Sequence, residues 1–306
     1  MLARTLLLRL AENKSLESLV RRNRWSARIA RRFVAGETID EAIPSVAGLN
    51  AQGISASLDL LGESVLRADQ VDATVDTYLR LFQAIRESGV DANVSLKLTA
   101  LGLDIDEELC YCNMARLLSA AGPDRFVRID MESSAYTQRT LDLFERLWNS
   151  EQRFRNVGVV IQSYLRRSEE DIETLVKMGA RVRLCKGAYD EPESIAFPNK
   201  TDVDENYVRL MRRLVSDGVY PGIATHDEKM ISATKDYALE QKIEPDQFEF
   251  QMLYGIRRDL QTDLVKNGYR MRVYTPFGTY WYPYLMRRLA ERPANLMFVL
   301  KNILRR

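Results

Sequence analysis

Polar side chains suited to binding or proton transfer stand at the ends of several short apolar segments of this 306-residue chain. Lys97 follows NVSL, Asp130 follows FVRI, and Gln162 follows NVGVVI. Comparable positions further along hold Arg183 with Lys186, His226 after Thr225, Gln251 shortly before Leu253, and Tyr274. Lys, Asp and Arg are almost never fully buried unless they are paired. So many of them at the ends of apolar segments indicate a site for a charged or hydrogen-bonding ligand.

Several of these residues also have an interpretation that needs no ligand. Lys97 and Asp130 could form a structural ion pair, and the only histidine, His226, could satisfy a local hydrogen bond. Because Thr225-His226 stands where a helix is expected to begin, it could equally contact a phosphate. Lys97 or Lys186 at the end of a strand could attack a carbonyl, as in a Schiff-base aldolase. The residue types alone leave these alternatives open.

A second group of candidates lies in the segment WYPYLMRRLAER. Pro283 suits a first helical turn, and Tyr284, Arg287, Arg288 and Glu291 follow at steps of three or four residues, which places them on one helix face. Two adjacent guanidinium groups could bind one carboxylate and fix its orientation. The alternative is a surface ladder of salt bridges with Glu291.

The elements that would position these residues alternate regularly. Short segments rich in Val, Ile and Leu predict eight strands, at residues 55–60, 93–98, 126–130, 156–162, 180–185, 221–225, 248–253 and 269–274. Apolar residues at three- and four-residue spacing predict helices between them, at 69–88, 136–150, 168–178, 203–217 and 226–240. The strand ends recur about every 30 residues, the length of a βαβ unit.

This repeat predicts an α/β protein with a (β/α)8 barrel at residues 51–306, preceded by a helical extension at residues 1–50. Such barrels carry their chemistry at the carboxyl ends of the strands, where the polar residues stand. An open doubly wound sheet is the alternative. It is disfavoured because no Gly-x-Gly-x-x-Gly follows the first strand, where only Gly62 is present.

Composition and charge exclude several classes of protein. The chain is 46% hydrophobic and 28% charged, and no stretch resembles a membrane span, so we expect a soluble, cytoplasmic protein. Three cysteines and one histidine give no basis for a metal centre. Residues 1–32 hold nine Lys or Arg against Glu12 and Glu17. This arm is interpreted as a helical lid or a membrane-surface contact, and nucleic acid is disfavoured because the rest of the chain is acidic.

Eight segments, taken in order, resemble proline dehydrogenase. They are VSLKLTALG, FVRIDME, IQSYLRR, RVRLCKGAY, Thr225-His226, FEFQMLYG, VYTPFG and YLMRRLAERPAN. The resemblance spans roughly residues 40 to 300, and the length is similar to that of the stand-alone bacterial enzymes. It implies an FAD-dependent enzyme that oxidises L-proline to Δ1-pyrroline-5-carboxylate by hydride transfer from C5 to flavin N5 and passes electrons to membrane quinone. Peripheral membrane attachment through the basic arm or the tail NLMFVLKNILRR is an accompanying hypothesis.

The resemblance also implies roles for individual positions. Asp130 and Arg183 correspond to catalytic residues, and a tyrosine at the position of Tyr284 accompanies proline rather than hydroxyproline as substrate. The FAD-binding positions are Met131, Gln162, Arg183, Lys186, Gly187, Ala188, Thr225 and His226. The substrate-binding positions are Lys97, Tyr189, Leu253, Tyr274, Tyr284, Arg287, Arg288 and Glu291.

Overall fold

The computed structural model describes residues 30–151 and 154–291, with side chains in the last helix described as far as Arg288. The basic residues 1–29, the tail from residue 292 and the side chain of Glu291 therefore lie outside the described residues. Among those that are described, no helix is both long and apolar enough to cross a bilayer.

Eight parallel strands form a closed barrel, as the spacing of the apolar segments predicted. Each strand pairs with the next, and the last pairs with the first, which excludes the open sheet. The strands are β1 Ser55–Leu60, β2 Ala92–Leu96, β3 Val127–Ile129, β4 Val157–Gln162, β5 Arg181–Cys185, β6 Gly222–Ala224, β7 Glu249–Leu253 and β8 Arg270–Phe277.

Helices alternate with the strands around the outside. They are α1 Ile39–Asn50, α2 Ala68–Ser88, α3 Glu107–Ala121, α4 Ser134–Ser150, α5 Ser168–Met178, α6 Lys200–Asp217, α7 Glu228–Glu240, α8 Arg258–Lys266 and α9 Trp281–Glu291, with a 3-10 turn at Leu98–Leu101. Side-chain caps begin some of them: Asp106 accepts a hydrogen bond from the Leu109 N–H at the start of α3.

The apolar core lies between the barrel and the helices. On α2, Val71, Val75, Tyr78 and Phe82 recur every three or four residues and are buried against the outward-facing residues of the strands. A smaller apolar cluster joins Phe33 and Val34 to residues of α9, among them Trp281 and Tyr284. This cluster holds α9 against the segment that precedes α1.

The inside of the barrel is polar. Arg183 on β5 reaches the Ser95 hydroxyl on β2 at 3.1 Å, and the hydroxyls of Ser57 and Ser95 lie 2.9 Å apart. Because β5 and β2 are not neighbours, this contact crosses the interior. Nearer the amino ends, Arg272 binds the Glu249 carboxylate at 2.8 Å and donates to the Ala56 carbonyl. Hydrogen bonds therefore connect distant strands through the middle of the barrel.

Candidate active site

Lys97 stands directly after β2, at the carboxyl end of the barrel. Its Nζ lies 3.3 Å from both carboxylate oxygens of Asp59 on β1, whereas the nearest oxygen of Asp130 is 4.0 Å away. Both side chains are largely buried, with 15% of Lys97 and 2% of Asp59 exposed. Sequence reasoning missed Asp59, which is the closer partner of the lysine.

The two groups influence each other's protonation. Burial by itself disfavours the ammonium of Lys97, but the carboxylates of Asp59 and Asp130 raise its pKa above the usual lysine value. Burial raises the pKa of Asp59 to about 6, against the opposing effect of Lys97. At neutral pH the pair is therefore a buried ammonium beside a carboxylate.

Asp130 is held by Arg183 and Tyr274. Arg183 Nη1 donates to Asp130 Oδ1 at 2.8 Å, and the Tyr274 hydroxyl donates to Oδ2 at the same distance. Burial, followed by the charges of Asp130 and Asp59, raises the pKa of Tyr274 well above the usual tyrosine value, so the phenol stays a hydrogen-bond donor. The structure thus brings Lys97, Asp130, Arg183 and Tyr274 together, with Asp130 as the link between Arg183 and Tyr274.

The two arginines of α9 face different partners. Arg287 Nη1 lies 2.6 Å from the Glu63 carboxylate in the loop after β1, and the Arg288 guanidinium lies 5.2 Å from the ring centroid of buried Tyr284. Glu63 stands four residues after Asp59, the partner of Lys97, and its charge also contributes to the raised pKa of Lys97. Glu63 is a second residue that sequence reasoning missed, since it stands 224 positions from Arg287.

Gln162 and Met131 lie beside a buried carboxyl group. The Gln162 side chain donates to the backbone carbonyl of Glu132 at 2.9 Å. The side-chain carboxyl group of Glu132 accepts a hydrogen bond from the Thr99 hydroxyl at 2.8 Å. Burial raises the pKa of Glu132 to about 7, although the hydrogen bond from Thr99 opposes the shift. Met131 itself is 8% exposed. Glu132 was not predicted as a site residue, although FVRIDME contains it.

The turn after β5 is fixed by ion pairs and by a glycine. Lys186 pairs with Asp204 on α6 at 2.5 Å and with Asp227 at 2.7 Å. Gly187 has φ +104°, and a Cβ there would lie 2.2 Å from the Tyr164 ring. Only glycine fits this close approach without displacing the ring. The following residues, Ala188 and Tyr189, are exposed.

Thr225 and His226 lie between β6 and α7, as predicted. The Thr225 hydroxyl accepts from the Asp227 N–H at 3.0 Å. The Leu253 N–H donates to His226 Nε2 at 2.9 Å, which requires Nε2 to be unprotonated. The local hydrogen bond considered for this histidine is therefore present, and it ties the end of β6 to the half-buried end of β7.

The residues at this end of the barrel fit a flavin. Arg183 is 6% exposed, and its buried Nε has no hydrogen-bond partner among the described residues. A buried cationic donor with an unused N–H suits the electron-rich edge of an isoalloxazine ring. Gln162 ends the neighbouring strand β4, and Met131 stands in the loop after β3. Lys186, Gly187, Thr225 and His226 would hold the rest of the cofactor.

Comparison with known proteins identifies the family. The family model described as "Proline dehydrogenase" matches residues 42–301. The chain is 43% identical over 305 residues to Proline dehydrogenase 2 of Bacillus subtilis (strain 168), with 99% of each chain covered. The chain belongs to the proline dehydrogenase family. Proline dehydrogenase of Deinococcus radiodurans is 42% identical over 308 residues and is covered over 98% of its length, so this chain is similar to stand-alone enzymes throughout.

Solved structures of proline dehydrogenase relatives share the barrel. Proline utilization A (PutA) from Bdellovibrio bacteriovorus, inactivated by N-propargylglycine, superposes with a TM-score of 0.80 at 29% identity. The match covers 87% of this chain and 33% of that longer chain. PutA from Bradyrhizobium japonicum, at 23% identity and a TM-score of 0.74, shows the same fold.

Proposed function

We propose that this enzyme oxidises L-proline to Δ1-pyrroline-5-carboxylate with FAD as the hydride acceptor. The observation that carries the proposal is the grouping of Lys97, Arg287 and Arg183 around carboxylate groups at the carboxyl end of a proline dehydrogenase barrel. When bound, FAD supplies the acceptor of the two electrons that leave proline C5.

The cations of the site would bind the proline carboxylate. Lys97 is charged at neutral pH because Asp59 and Asp130 raise its pKa. Arg287 and Arg288 stand on adjacent positions of α9, and their planar guanidinium groups suit a carboxylate. Because Arg287 is bound to Glu63 in this structure, the substrate carboxylate and the Glu63 carboxylate compete for one guanidinium group.

The same charges help the amine to react. Formation of the C=N bond requires the nitrogen lone pair, so the substrate must lose its ammonium proton to water before the hydride departs. Nearby cations disfavour an ammonium, and Lys97 and the arginines provide them. Tyr284, Leu253 and Tyr189 would form the apolar and aromatic walls that orient the ring and exclude water.

Asp130 positions the groups that face the reacting atoms. Its two oxygens are occupied by Arg183 and Tyr274, so it fixes the guanidinium next to the flavin position and the phenol next to Lys97. Positive charge from Arg183 would stabilise electron density that develops on the acceptor. These contacts support an orienting role for Asp130, with Arg183 proposed as the catalytic cation.

The Schiff-base alternative receives no support from the lysines. A nucleophilic lysine must be unprotonated, but the pKa of Lys97 is raised, and Lys186 is paired with two carboxylates. Borohydride added with a carbonyl substrate is expected to leave the protein mass unchanged.

The function is tested by the colour of the purified protein. Preparations reconstituted with FAD should be yellow, and anaerobic L-proline should bleach the flavin absorbance. Arg288→Met should raise the KM for proline at least about a hundredfold, roughly 2.7 kcal/mol, with flavin still bound. Arg80→Met on the outer helix α2 is the control and should leave KM unchanged. A flavin that proline does not bleach would contradict the function, and an unchanged KM in Arg288→Met would contradict the role of this arginine.

We also propose membrane quinone as the final electron acceptor and peripheral attachment of a cytoplasmic enzyme to the membrane. The support is the basic composition of residues 1–32 in the sequence, since clustered Lys and Arg bind anionic lipid. Vesicles containing anionic lipid should sediment the full chain but not a variant that lacks residues 1–29. Equal sedimentation of both would contradict attachment through the arm.

A further inference from the structure

A cavity of about 800 Å³ opens at the amino ends of the strands, opposite the proposed active site. This is within the size range of small-molecule pockets. The residues proposed for FAD and proline do not line it. Its charged lining residues are Asp91, Asp124, Arg155, Arg181, Arg270 and Arg272.

Positive charge in this cavity is incompletely compensated. Arg272 is neutralised by Glu249, whose oxygens also accept from the side chains of Gln251 and Tyr220. Among the described residues, no carboxylate lies within 4.0 Å of the guanidinium nitrogens of Arg155, Arg181 or Arg270. The carboxylate of Asp91 accepts instead from the Ser55 hydroxyl at 2.5 Å. An anion entering the cavity therefore meets three arginines that form no ion pair with any described carboxylate.

A fully buried arginine adds to this charge from inside the barrel. Arg128 is 3% exposed, and its Nη1 donates to the carbonyls of Val159 and Arg181, with no described carboxylate within 4.0 Å. Gly158 makes room for it, because a Cβ there would lie 2.7 Å from that nitrogen. Burial and the neighbouring guanidinium groups of Arg183 and Arg181 lower the pKa of Arg128. Arginine nevertheless stays charged in proteins. The repulsion between Arg128 and the guanidinium groups of Arg183 and Arg181 therefore remains as long as no anion is bound.

The guanidinium group of Arg181 is fixed in position and has a hydrogen-bond donor that no described residue uses. Its guanidinium carbon lies 4.2 Å from the ring centroid of Phe126 and 4.6 Å from that of Tyr220, so two aromatic rings fix its position. Its Nε is buried and has no hydrogen-bond partner among the described residues. A guanidinium fixed in place with an unused buried N–H is the arrangement that recognises phosphate or carboxylate oxygens.

We propose that this cavity is a second ligand site, which binds a small polyanion carrying phosphate or carboxylate groups. Arg181 and Arg270 contact the anion, Arg155 stands at the rim, and Arg128 contributes charge from behind. In composition the ends of the given sequence are poor candidates for this anion, since residues 1–29 carry a net positive charge and residues 292–306 contain no Asp or Glu. The proposed ligand is a separate molecule, distinct from both proline and the flavin.

The test is calorimetric titration of the FAD-saturated enzyme with pyrophosphate and, in a parallel arm, with citrate, at constant ionic strength set with chloride. Saturable binding is expected in at least one arm, and the stronger arm identifies phosphate or carboxylate chemistry. Arg181→Gln and Arg270→Gln should each weaken binding tenfold or more. Arg80→Gln, which removes the same charge from the exposed face of α2, should leave it unchanged.

Three results would overturn the proposal whatever the variants of the cavity arginines show. They are absence of saturable binding to wild-type enzyme in both arms, equal weakening by Arg80→Gln, and release of flavin during the titration, since release would place the anion in the cofactor site. Because Arg181 packs between aromatic rings, its variant could unfold. In that case the Arg270→Gln variant provides the test, because Arg270 is exposed. Unchanged anion binding in this variant would contradict the proposed site.

Discussion

The ammonium of Lys97 is bound by Asp59, at 3.3 Å from both carboxylate oxygens, whereas Asp130 is bound by Arg183 and Tyr274. The two buried aspartates therefore have different tasks. Asp59 keeps the lysine charged at the proposed carboxylate site, and Asp130 orients Arg183 and Tyr274.

Asp59→Asn should destabilise the protein by about 3 kcal/mol, because it leaves the buried ammonium without its nearest counter-charge. Urea unfolding at saturating FAD measures the change. The control is Asp76→Asn, which breaks a 3.4 Å ion pair with Arg116 whose side chains are both more than half exposed; it should cost less than about 1 kcal/mol. Equal losses in the two variants would show that Asp59 does not stabilise Lys97.

Tyr274→Phe should lower kcat/KM for proline about tenfold, roughly 1.4 kcal/mol, by removing the 2.8 Å hydrogen bond to Asp130. Flavin content should not change, since Arg183 still holds the other carboxylate oxygen. Steady-state kinetics with flavin absorbance measure both quantities. Tyr136→Phe removes a similar 2.9 Å bond to Asp104 on the outside of the barrel and should leave kinetics unchanged. A wild-type rate in Tyr274→Phe would refute the positioning role.

Glu132 should make the protein less stable as pH rises. Its pKa is about 7 in the folded state against 4.5 for an ordinary glutamate, so the folded protein binds the proton more tightly. The stabilisation is fully present below pH 4.5 and is lost as pH rises to 7, up to about 3 kcal/mol.

Glu132→Gln should reduce this slope of unfolding free energy against pH, measured by urea unfolding between pH 5 and pH 8. Part of the slope should remain, because Asp59, with a pKa of about 6, acts in the same direction. Exposed Glu87→Gln is the matched control and should keep the wild-type slope. If Glu132→Gln also keeps the wild-type slope, then Glu132 does not contribute to the pH dependence of stability.

Gly187→Ala should weaken both folding and flavin binding. The added methyl meets the Tyr164 ring at 2.2 Å, and the residue has φ +104°. Gly179→Ala is the comparison, because its φ is +72° but nothing lies within 4 Å of the added Cβ. The free energy of unfolding of Gly179→Ala should fall by about 1 to 2 kcal/mol from backbone strain alone. Gly187→Ala should lose more and bind FAD less tightly; matching values for stability and flavin affinity would show that the ring contact is unimportant.

The sequence predicted the barrel because each strand and helix has a local signature. Seven of the eight strands end within two residues of their predicted limits, and β8 is longer because it continues through Pro276 to Phe277. The predicted site residues were those at strand ends, which the barrel architecture brings together. The arginines of α9 were predicted to share one helix face, but Arg287 binds Glu63 and Arg288 lies over the Tyr284 ring, and these separate partners were not foreseen.

Asp59, Glu63 and Glu132 were missed, and only for Glu63 and Glu132 did the sequence lack a local signal. Asp59 carried a readable signal: SASLDL alternates polar and apolar residues, as does RVRLC, which indicates a strand with a polar inner face. That signal was available. The partners of Glu63 and Glu132 depend on contacts between segments far apart in sequence, 224 positions for Glu63 and Arg287. Local spacing carries no information about such pairs.

The pairing of β8 with β1 has a consequence for synthesis of the protein. Arg272 donates to the Ala56 carbonyl across 216 positions, so the ring of strands closes only after most of the polypeptide has left the ribosome. Until then β1 presents an unpaired edge, and contacts of such long sequence separation form slowly. Nascent chains that stop before residue 270 should therefore be prone to aggregate and should depend on chaperones.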